Sequence, residues 1–249
     1  MKELTEQEKS FIFKLKKQVN KTIKTYSLIQ ENDRILLGLS GGKDSLALVE
    51  LLGEKMKIFN PKFSLIAAHV SIDSIPYQSD IDYLKDFCAT YNIPFIHHTV
   101  SVDFSQDKRK SPCFICSWNR RKALFELAKE NGCKKIALGH HQDDILETLL
   151  MNMVYQGAFG TMPPLLRMDK FDMTLIRPLA LNKEADMQRL AEIREYKKQQ
   201  KNCPFEKESS RSDMKSILTA FEKMNPDFRS SMWGAMGNIQ PEYLPEKQK

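Results

Sequence analysis

The stretch Leu36-Leu37-Gly38-Leu39-Ser40-Gly41-Gly42-Lys43-Asp44-Ser45-Leu46-Ala47-Leu48 breaks an apolar run at a Ser-Gly-Gly turn and resumes it with helical spacing. The pattern predicts a strand, a tight loop and a helix. Gly41 and Gly42 reach backbone angles closed to other residues, and without a Cβ they let main-chain N–H groups come close to an anion. The helix that follows aims its first N–H groups and the positive end of its dipole at the same spot. Lys43 adds a positive charge, Ser40 and Ser45 add hydroxyl donors, and Asp44 can hold Mg2+ or orient the loop. The stretch is therefore a candidate nucleotide-phosphate site. It is not a Walker A loop, which needs Gly at position 37 and Ser or Thr at position 44, where this chain has Leu37 and Asp44.

Around this loop the chain alternates between two hydrophobic periods. Thr5 and Glu8 form a capping-box pattern ahead of Ile12, Leu15, Val19, Ile23 and Tyr26, which predicts an amphipathic helix to about residue 29. Beyond the loop helix come a strand over 63–70, a helix over 77–91 and a strand over 94–100. A polar loop to Pro112 leads to a helix from about 116 to 130, a strand over 134–139, a helix over 143–155 and a strand over 173–178. Strands alternating with helices imply right-handed crossovers and an α/β fold, a doubly wound parallel sheet that binds ligands at the carboxyl ends of its strands. From residue 184 to 239 the strands disappear. The expected organisation is an N-terminal helix (1–30), a nucleotide-binding α/β domain (31–181) and a small C-terminal helical segment (182–249) carrying Cys203, with a loose tail from Gln240 onward.

A chain of 249 residues, 41% hydrophobic and 28% charged, suits a globular protein with a sizeable core. No run approaches the roughly 18 apolar residues of a membrane span. Lys2-Glu3-Leu4-Thr5-Glu6-Gln7-Glu8 contains no apolar core of a signal peptide, so the expectation is a cytoplasmic protein. In a reducing compartment its five cysteines are free thiols, metal ligands or redox groups. The net charge of +6, from 38 Lys+Arg against 32 Asp+Glu, permits RNA without demanding it. Basic clusters at Lys14 to Lys24, Lys108-Arg109-Lys110, Arg120-Arg121-Lys122 and Lys197 to Lys201 each read first as solvated surface, and only their number argues for a polyanion.

Two further motifs carry chemistry. Cys113-Phe114-Ile115-Cys116, placed between the third strand and the next helix, brings two thiols to one turn, as a zinc half-site, a redox pair or one edge of an iron–sulfur cluster. Cys203, in a polar stretch before Pro204, is the other cysteine outside a periodic segment; Cys88 and Cys133 read as small buried hydrophobes. Three thiols would leave one iron of a cubane open to a small ligand such as hydrosulfide. Gly139-His140-His141-Gln142-Asp143-Asp144 falls at the end of a strand and the start of a helix, where His140 and the two carboxylates can reach Mg2+-ATP or simply cap the helix. His69, His97 and His98 read as packing or edge residues.

Taken in order, Leu39-Ser40-Gly41-Gly42-Lys43-Asp44-Ser45, CFICSWNRR (113–121) and GHHQDD (139–144) resemble the motifs of one family, the TtcA-type tRNA 2-thiocytidine synthetases of the PP-loop ATP pyrophosphatase superfamily. The similarity continues through Met162-Pro163-Pro164, Ile176-Arg177-Pro178-Leu179, Cys203 and Met232-Trp233-Gly234-Ala235-Met236. The resemblance implies a PP-loop, adenine nucleotide alpha hydrolase-like fold in which Ser40, Gly41, Gly42, Lys43, Asp44 and Ser45, with Gly139, His140, Asp143 and Asp144, bind ATP and Mg2+. By the same resemblance Cys113, Cys116 and Cys203 hold a [4Fe–4S] cluster, and Lys43 and Asp44 act with them in catalysis. The implied reaction adenylates the C2 carbonyl oxygen of an anticodon-loop cytidine in tRNA and replaces it with sulfur. A sulfur donor such as a cysteine desulfurase is the implied partner, and a homodimer is compatible. One segment departs from the pattern: the family carries two cysteines around position 203 and this chain one, with Glu206 in the second place if Cys203 is the first. Two alternatives follow, a related enzyme modifying another tRNA nucleotide and a non-catalytic iron–sulfur or zinc RNA-binding protein. A lysidine-type PP-loop enzyme would account for the loop but not for the three cysteines.

Overall fold

Both faces of strand β1 (Asp33–Gly38) are covered, since Ile35, Leu36 and Leu37 are all fully buried. That is the signature of a central strand in a parallel sheet. The computed structural model describes residues 3–58, 60–75, 79–104, 111–199 and 210–245. Helix α1 (Glu6–Thr25) precedes β1, and the chain continues through α2 (Lys43–Met56), β2 (Phe63–Ile72), α3 (Ile81–Thr90), β3 (Phe95–Val100), α4 (Pro112–Glu130), β4 (Lys135–Ala137) and α5 (Gln142–Gln156). Then follow β5 (Leu165–Met168), β6 (Met173–Ile176), α6 (Glu184–Ile193), α7 (Ser210–Met224) and α8 (Phe228–Ala235). The strands form one sheet of order β3-β2-β1-β4-β6-β5, parallel throughout except for the β5–β6 pair.

Alternation along β1 sends neighbouring side chains to opposite faces. Ile35 and Leu37 join a core with Leu15 and Val19 of α1, Leu48 and Leu52 of α2, Leu84 of α3 and Met187 and Leu190 of α6. Leu36 joins another with Ile66, Ile136 and, from α4, Ala123 and Leu127. The sheet is thus covered on both sides, as the βαβ alternation predicts. The Thr5–Glu8 capping box forms as expected, with Glu8 N–H donating to Thr5 Oγ1 and Thr5 N–H to the Glu8 carboxylate.

The differences from expectation have local causes. Helix α3 starts at Ile81 because the Asp80 side chain caps it by accepting from Tyr83 N–H at 2.9 Å. Helix α4 starts four residues before Cys116: Ser111 accepts from Phe114 N–H, and Pro112 supplies a backbone angle already set for a first turn. Cys113 and Cys116 therefore lie inside the helix rather than in a turn before it. The antiparallel strand β5 was not anticipated, since four residues are too few to show a period.

Contacts divide the chain into two units. Met1–Gln142 and Pro163–Glu206 make up the first, which holds the whole sheet with α1 to α4 and α6. Helix α6, expected with the C-terminal segment, belongs here because Met187 and Leu190 are buried in the same core as α1 and α2. The second unit is Asp143–Met162 and Lys207–Lys249. In it Phe221 and Phe228 pack with ring centroids 4.9 Å apart, and Arg229 joins Glu222 to Asp143, the latter at 2.7 Å. Among the described residues no helix is long and apolar enough to cross a membrane.

Candidate functional site

Strand order reverses at β1: the chain runs outward through β2 and β3, then returns to the other side of β1 as β4. Open parallel sheets bind ligands in the crevice beyond the carboxyl ends of strands at such a point. Loop 40–45 leaves β1 there, and residues 139–141 leave β4 there. Gly41 has φ +81°, a left-handed angle that glycine adopts without strain. Ser40 Oγ accepts from Gly42 N–H at 3.3 Å and donates to Ser45 Oγ at 3.2 Å, while the Ser45 hydroxyl donates to the Gly42 carbonyl at 2.9 Å. These bonds hold the loop in shape. Gly42 is the N-cap of α2 and provides no side-chain cap, so an anion can take the cap's place at the helix N-terminus.

Residues 139–141 press against the start of α2. A Cβ on Gly139 would stand 3.0 Å from the carbonyl carbon and oxygen of Asp44 and 3.1 Å from Ser45 N. Backbone cannot yield as a side-chain tip can, so only glycine allows this approach. His141, buried, places Nε2 3.8 Å from Asp44 Oδ1. The Lys43 ammonium lies 3.4 Å from Asp44 and 3.3 Å from Glu184 at the first turn of α6. His140 instead faces Arg177, which approaches its Nδ1 at 3.4 Å and also donates to the Pro163 carbonyl. Asp143 and Asp144 belong to the second unit, where Asp143 pairs with Arg229 and the Asp144 carbonyl accepts from the Thr148 hydroxyl at 2.7 Å.

The loop thus brings Ser40, Gly41, Gly42, Lys43, Asp44, Ser45 and Gly139 together and adds two residues that sequence reading missed, His141 and Glu184. His141 was inside a recognised motif. Glu184 carried no signal, because it meets Lys43 from 141 positions away. One carboxylate beside a phosphate cradle suits Mg2+, which keeps waters and phosphate oxygens as its other ligands. Among the described residues no three His, Cys, Asp or Glu side chains converge as a metal site.

A cavity of about 470 Å³ opens beside the loop, lined by Gly41 to Asp44 on one side and by Glu192 of α6 and Lys197 and Gln199 beyond it on the other. The segment after α6 is tied down at Arg194, Tyr196, Lys197 and Gln199. Arg194 and the Tyr196 hydroxyl both donate to the buried Glu50 of α2 at 2.8 Å, and burial followed by the Glu50 charge pushes the Tyr196 hydroxyl far up. Lys197 N–H donates to Tyr83 Oη at 3.1 Å, and its ammonium pairs with Asp80, holding that carboxyl below the usual range. Gln199 Oε1 accepts from Asp80 N–H at 2.6 Å, and its Cγ is so close to Gly41 that a Cβ there would meet it at 2.9 Å. Cys203, four residues farther on, lies outside the described residues, as does Lys108-Arg109-Lys110.

Cys113 is exposed in the first turn of α4. Cys116, one turn on and half-buried, packs against Ile72, Ile75 and Val102 beyond the carboxyl ends of β2 and β3. Spacing of three residues puts the two thiols on one helix face with Cβ atoms roughly 5–6 Å apart. Cys116 thus lies at the carboxyl end of the sheet, the end from which loop 40–45 leaves β1. Cys88 and Cys133 are buried, and burial pushes the Cys88 thiol up to about 12 and raises that of Cys133. His69 does more than pack: its Nδ1–H donates to the Leu39 carbonyl at 2.7 Å, bracing the entry to the loop. Burial lowers its pKa, and the neighbouring His97 and Arg120 lower it further.

Comparison with known families matches residues 10–216 to the PP-loop domain. A tRNA-cytidine(32) 2-sulfurtransferase of Marinobacter nauticus is 34% identical over 238 residues, 94% of this chain and 79% of that protein. Its counterpart in Aliivibrio fischeri is 36% identical over 256 residues, 99% of this chain and 82% of that protein. Among solved structures, the U34-tRNA thiolase NcsA from Methanococcus maripaludis with its [4Fe–4S] cluster superposes with a TM-score of 0.76 at 31% identity, covering 93% of this chain and 82% of that one.

Proposed function

The chain belongs to the PP-loop family that includes the tRNA-cytidine(32) 2-sulfurtransferases, and from that premise we propose that it is an ATP-dependent tRNA sulfurtransferase acting on a cytidine of the anticodon loop. The observation that carries the reading is the shared edge: the phosphate cradle at the end of β1 and the Cys113–Cys116 pair at the start of α4 belong to one unit and face the same end of one sheet.

The chemistry needs two displacements. In the first, the cytidine C2 oxygen attacks the α-phosphorus of ATP, forming an O–P bond as pyrophosphate departs. The N–H groups at the start of α2 and the Lys43 ammonium offset the charge that grows on the leaving pyrophosphate. Lys43 must exchange Glu184 for phosphate to do so, while the Asp44 carboxylate beside it would hold Mg2+. In the second, a sulfur nucleophile attacks C2, AMP leaves with the oxygen, and the sulfur loses its proton.

The thiols suit a [4Fe–4S] cluster. Two lie one helical turn apart, and the chain from Gln199, seated at Gly41, reaches Cys203 in four residues, a span of at most about 14 Å. When bound, such a cluster with three protein ligands supplies an iron position at which sulfur can be carried. The supporting reading extends to a cysteine desulfurase or similar sulfur donor, to a homodimer and to the cytoplasm, where its tRNA substrate is found.

A second reading, thiolation of uridine 34, is favoured by the 31% identity to a U34-tRNA thiolase. Mass analysis of nucleosides decides between them after an anaerobic reaction with ATP, Mg2+, a sulfide source and unmodified tRNA. Sulfur on cytidine 32 is the expected result. Sulfur on uridine 34 would move the target, and no ATP-dependent sulfur in any nucleoside would leave a non-catalytic RNA-binding protein.

A further inference from the structure

Helix α4, which carries Cys113 and Cys116, also presents two large aromatic side chains to solvent. Phe114 is 50% exposed and Trp118 52%, at a spacing of four residues that places them on adjoining turns of one face. At 100° per residue, Phe114, Trp118, Arg121 and Lys122 fall within an arc of about 100°, opposite the buried Ala123 and Leu127. The Lys122 ammonium lies 5.8 Å from the Trp118 ring centroid, within cation–π range. Single exposed apolar residues are ordinary, but an exposed aromatic pair rimmed by two cations, one of them 3.8 Å from the Glu126 carboxylate, is not.

Aromatic faces with flanking cations are what unpaired nucleotides recognise: bases stack on the rings, and phosphates meet the cations. A helical RNA stem offers no free base face, and a protein partner would not require two cations on the same arc. We propose that Phe114 and Trp118 form a stacking platform for unpaired anticodon-loop nucleotides of the tRNA, with Arg121 and Lys122 holding the adjoining phosphates. The platform rests on the sulfurtransferase reading and deepens it. Loop nucleotides stacked there lie within two helical turns of Cys113 along α4, on the face turned away from Cys116, so the platform grips the loop rather than presenting the modified base itself.

The chain has two tryptophans, so replacing Trp233 by Phe leaves Trp118 as the sole reporter. Its emission is titrated with an anticodon stem–loop and, separately, with an RNA duplex of the same length that has no loop. Quenching by the stem–loop alone is expected. Trp118→Leu, and Phe114→Leu beside it, keep helix propensity and should each weaken stem–loop binding about 5- to 150-fold by filter binding, the range of one lost base–aromatic stack. Equal quenching by the duplex, or unchanged affinity in both variants while wild-type protein binds the stem–loop, would overturn the platform and leave the sulfurtransferase reading standing. Wild-type protein that binds neither tRNA nor stem–loop would instead remove the sulfurtransferase reading itself.

Discussion

His69 shows how a single packed side chain couples the loop to pH. Burial first, and then His97 and Arg120, disfavour protonation of the ring in the folded state, outweighing the Leu39 carbonyl, which accepts from Nδ1–H and favours it. The unfolded chain protonates near 6.5, so below that pH it binds a proton that the native state refuses. Stability is therefore complete above about pH 6.5 and falls as the solution is acidified through that value. Urea unfolding between pH 7.5 and 5.5 should show this loss, and in His69→Phe the decline should be shallower, from a starting stability about 1–3 kcal/mol lower because the Leu39 carbonyl loses its donor. Parallel pH profiles in the two proteins would rule the linkage out. The cysteines make a second residue-scale prediction: Cys113→Ala, Cys116→Ala and Cys203→Ala should each lose iron and sulfide, whereas Cys88→Ala and Cys133→Ala, whose thiols burial keeps protonated, should retain both. Loss of iron in Cys133→Ala would reassign the ligands. The burial of Cys88 and Cys133 could be read from the chain, since both accompany apolar periods. The choice between His140 and His141 could not, because two identical neighbours differ only in where the backbone leaving β4 points them.

The start of the segment after α6 is held by one buried carboxylate. Glu50 accepts from Arg194 and Tyr196, and both residues lead toward Gln199 and on to Cys203. Arg194→Ala leaves Glu50 buried without its cation, a loss of about 3 kcal/mol, at the low end for a broken buried pair because Arg194 is 25% exposed. The same variant should retain less iron after anaerobic purification, since it unties the chain that carries Cys203. Denaturant unfolding and iron content measure the two effects, and a stability loss below about 0.5 kcal/mol would show that Glu50 is satisfied without Arg194. Elements of this kind escape sequence reading. Strands β1 and β2 and helices α1 and α2 were visible because ten or more residues of period, or an apolar run, outvote local noise. What decides β5 is its pairing with β6, what starts α4 is one serine hydroxyl, and what fixes residues 194–199 is Glu50, Tyr83 and Asp80, 114 to 146 positions earlier.

At the scale of the whole molecule, the proposed function gives activation to loop 40–45 with its helix and sulfur delivery to Cys113, Cys116 and Cys203. Damage to one should leave the other's partial reaction measurable. Lys43→Ala removes the ammonium that faces the phosphates and touches no thiol, and Glu184 then remains partly exposed with access to water, so the fold should survive. This variant is expected to load iron and sulfide normally but to release no AMP or pyrophosphate when given tRNA. Cys203→Ala should do the reverse, releasing pyrophosphate on addition of ATP and tRNA without forming a thionucleoside. Both products are followed in the same anaerobic reaction, AMP and pyrophosphate by chromatography and sulfur by nucleoside mass. Glu184→Gln supplies a third arm: it frees Lys43 from its resting partner, so its KM for ATP should fall or hold while kcat for adenylation does not decline. Thiolation that persists in Lys43→Ala, or proceeds without ATP, would defeat adenylation as the activating step, because a C2 oxygen that never becomes a phosphate ester has no route by which to leave.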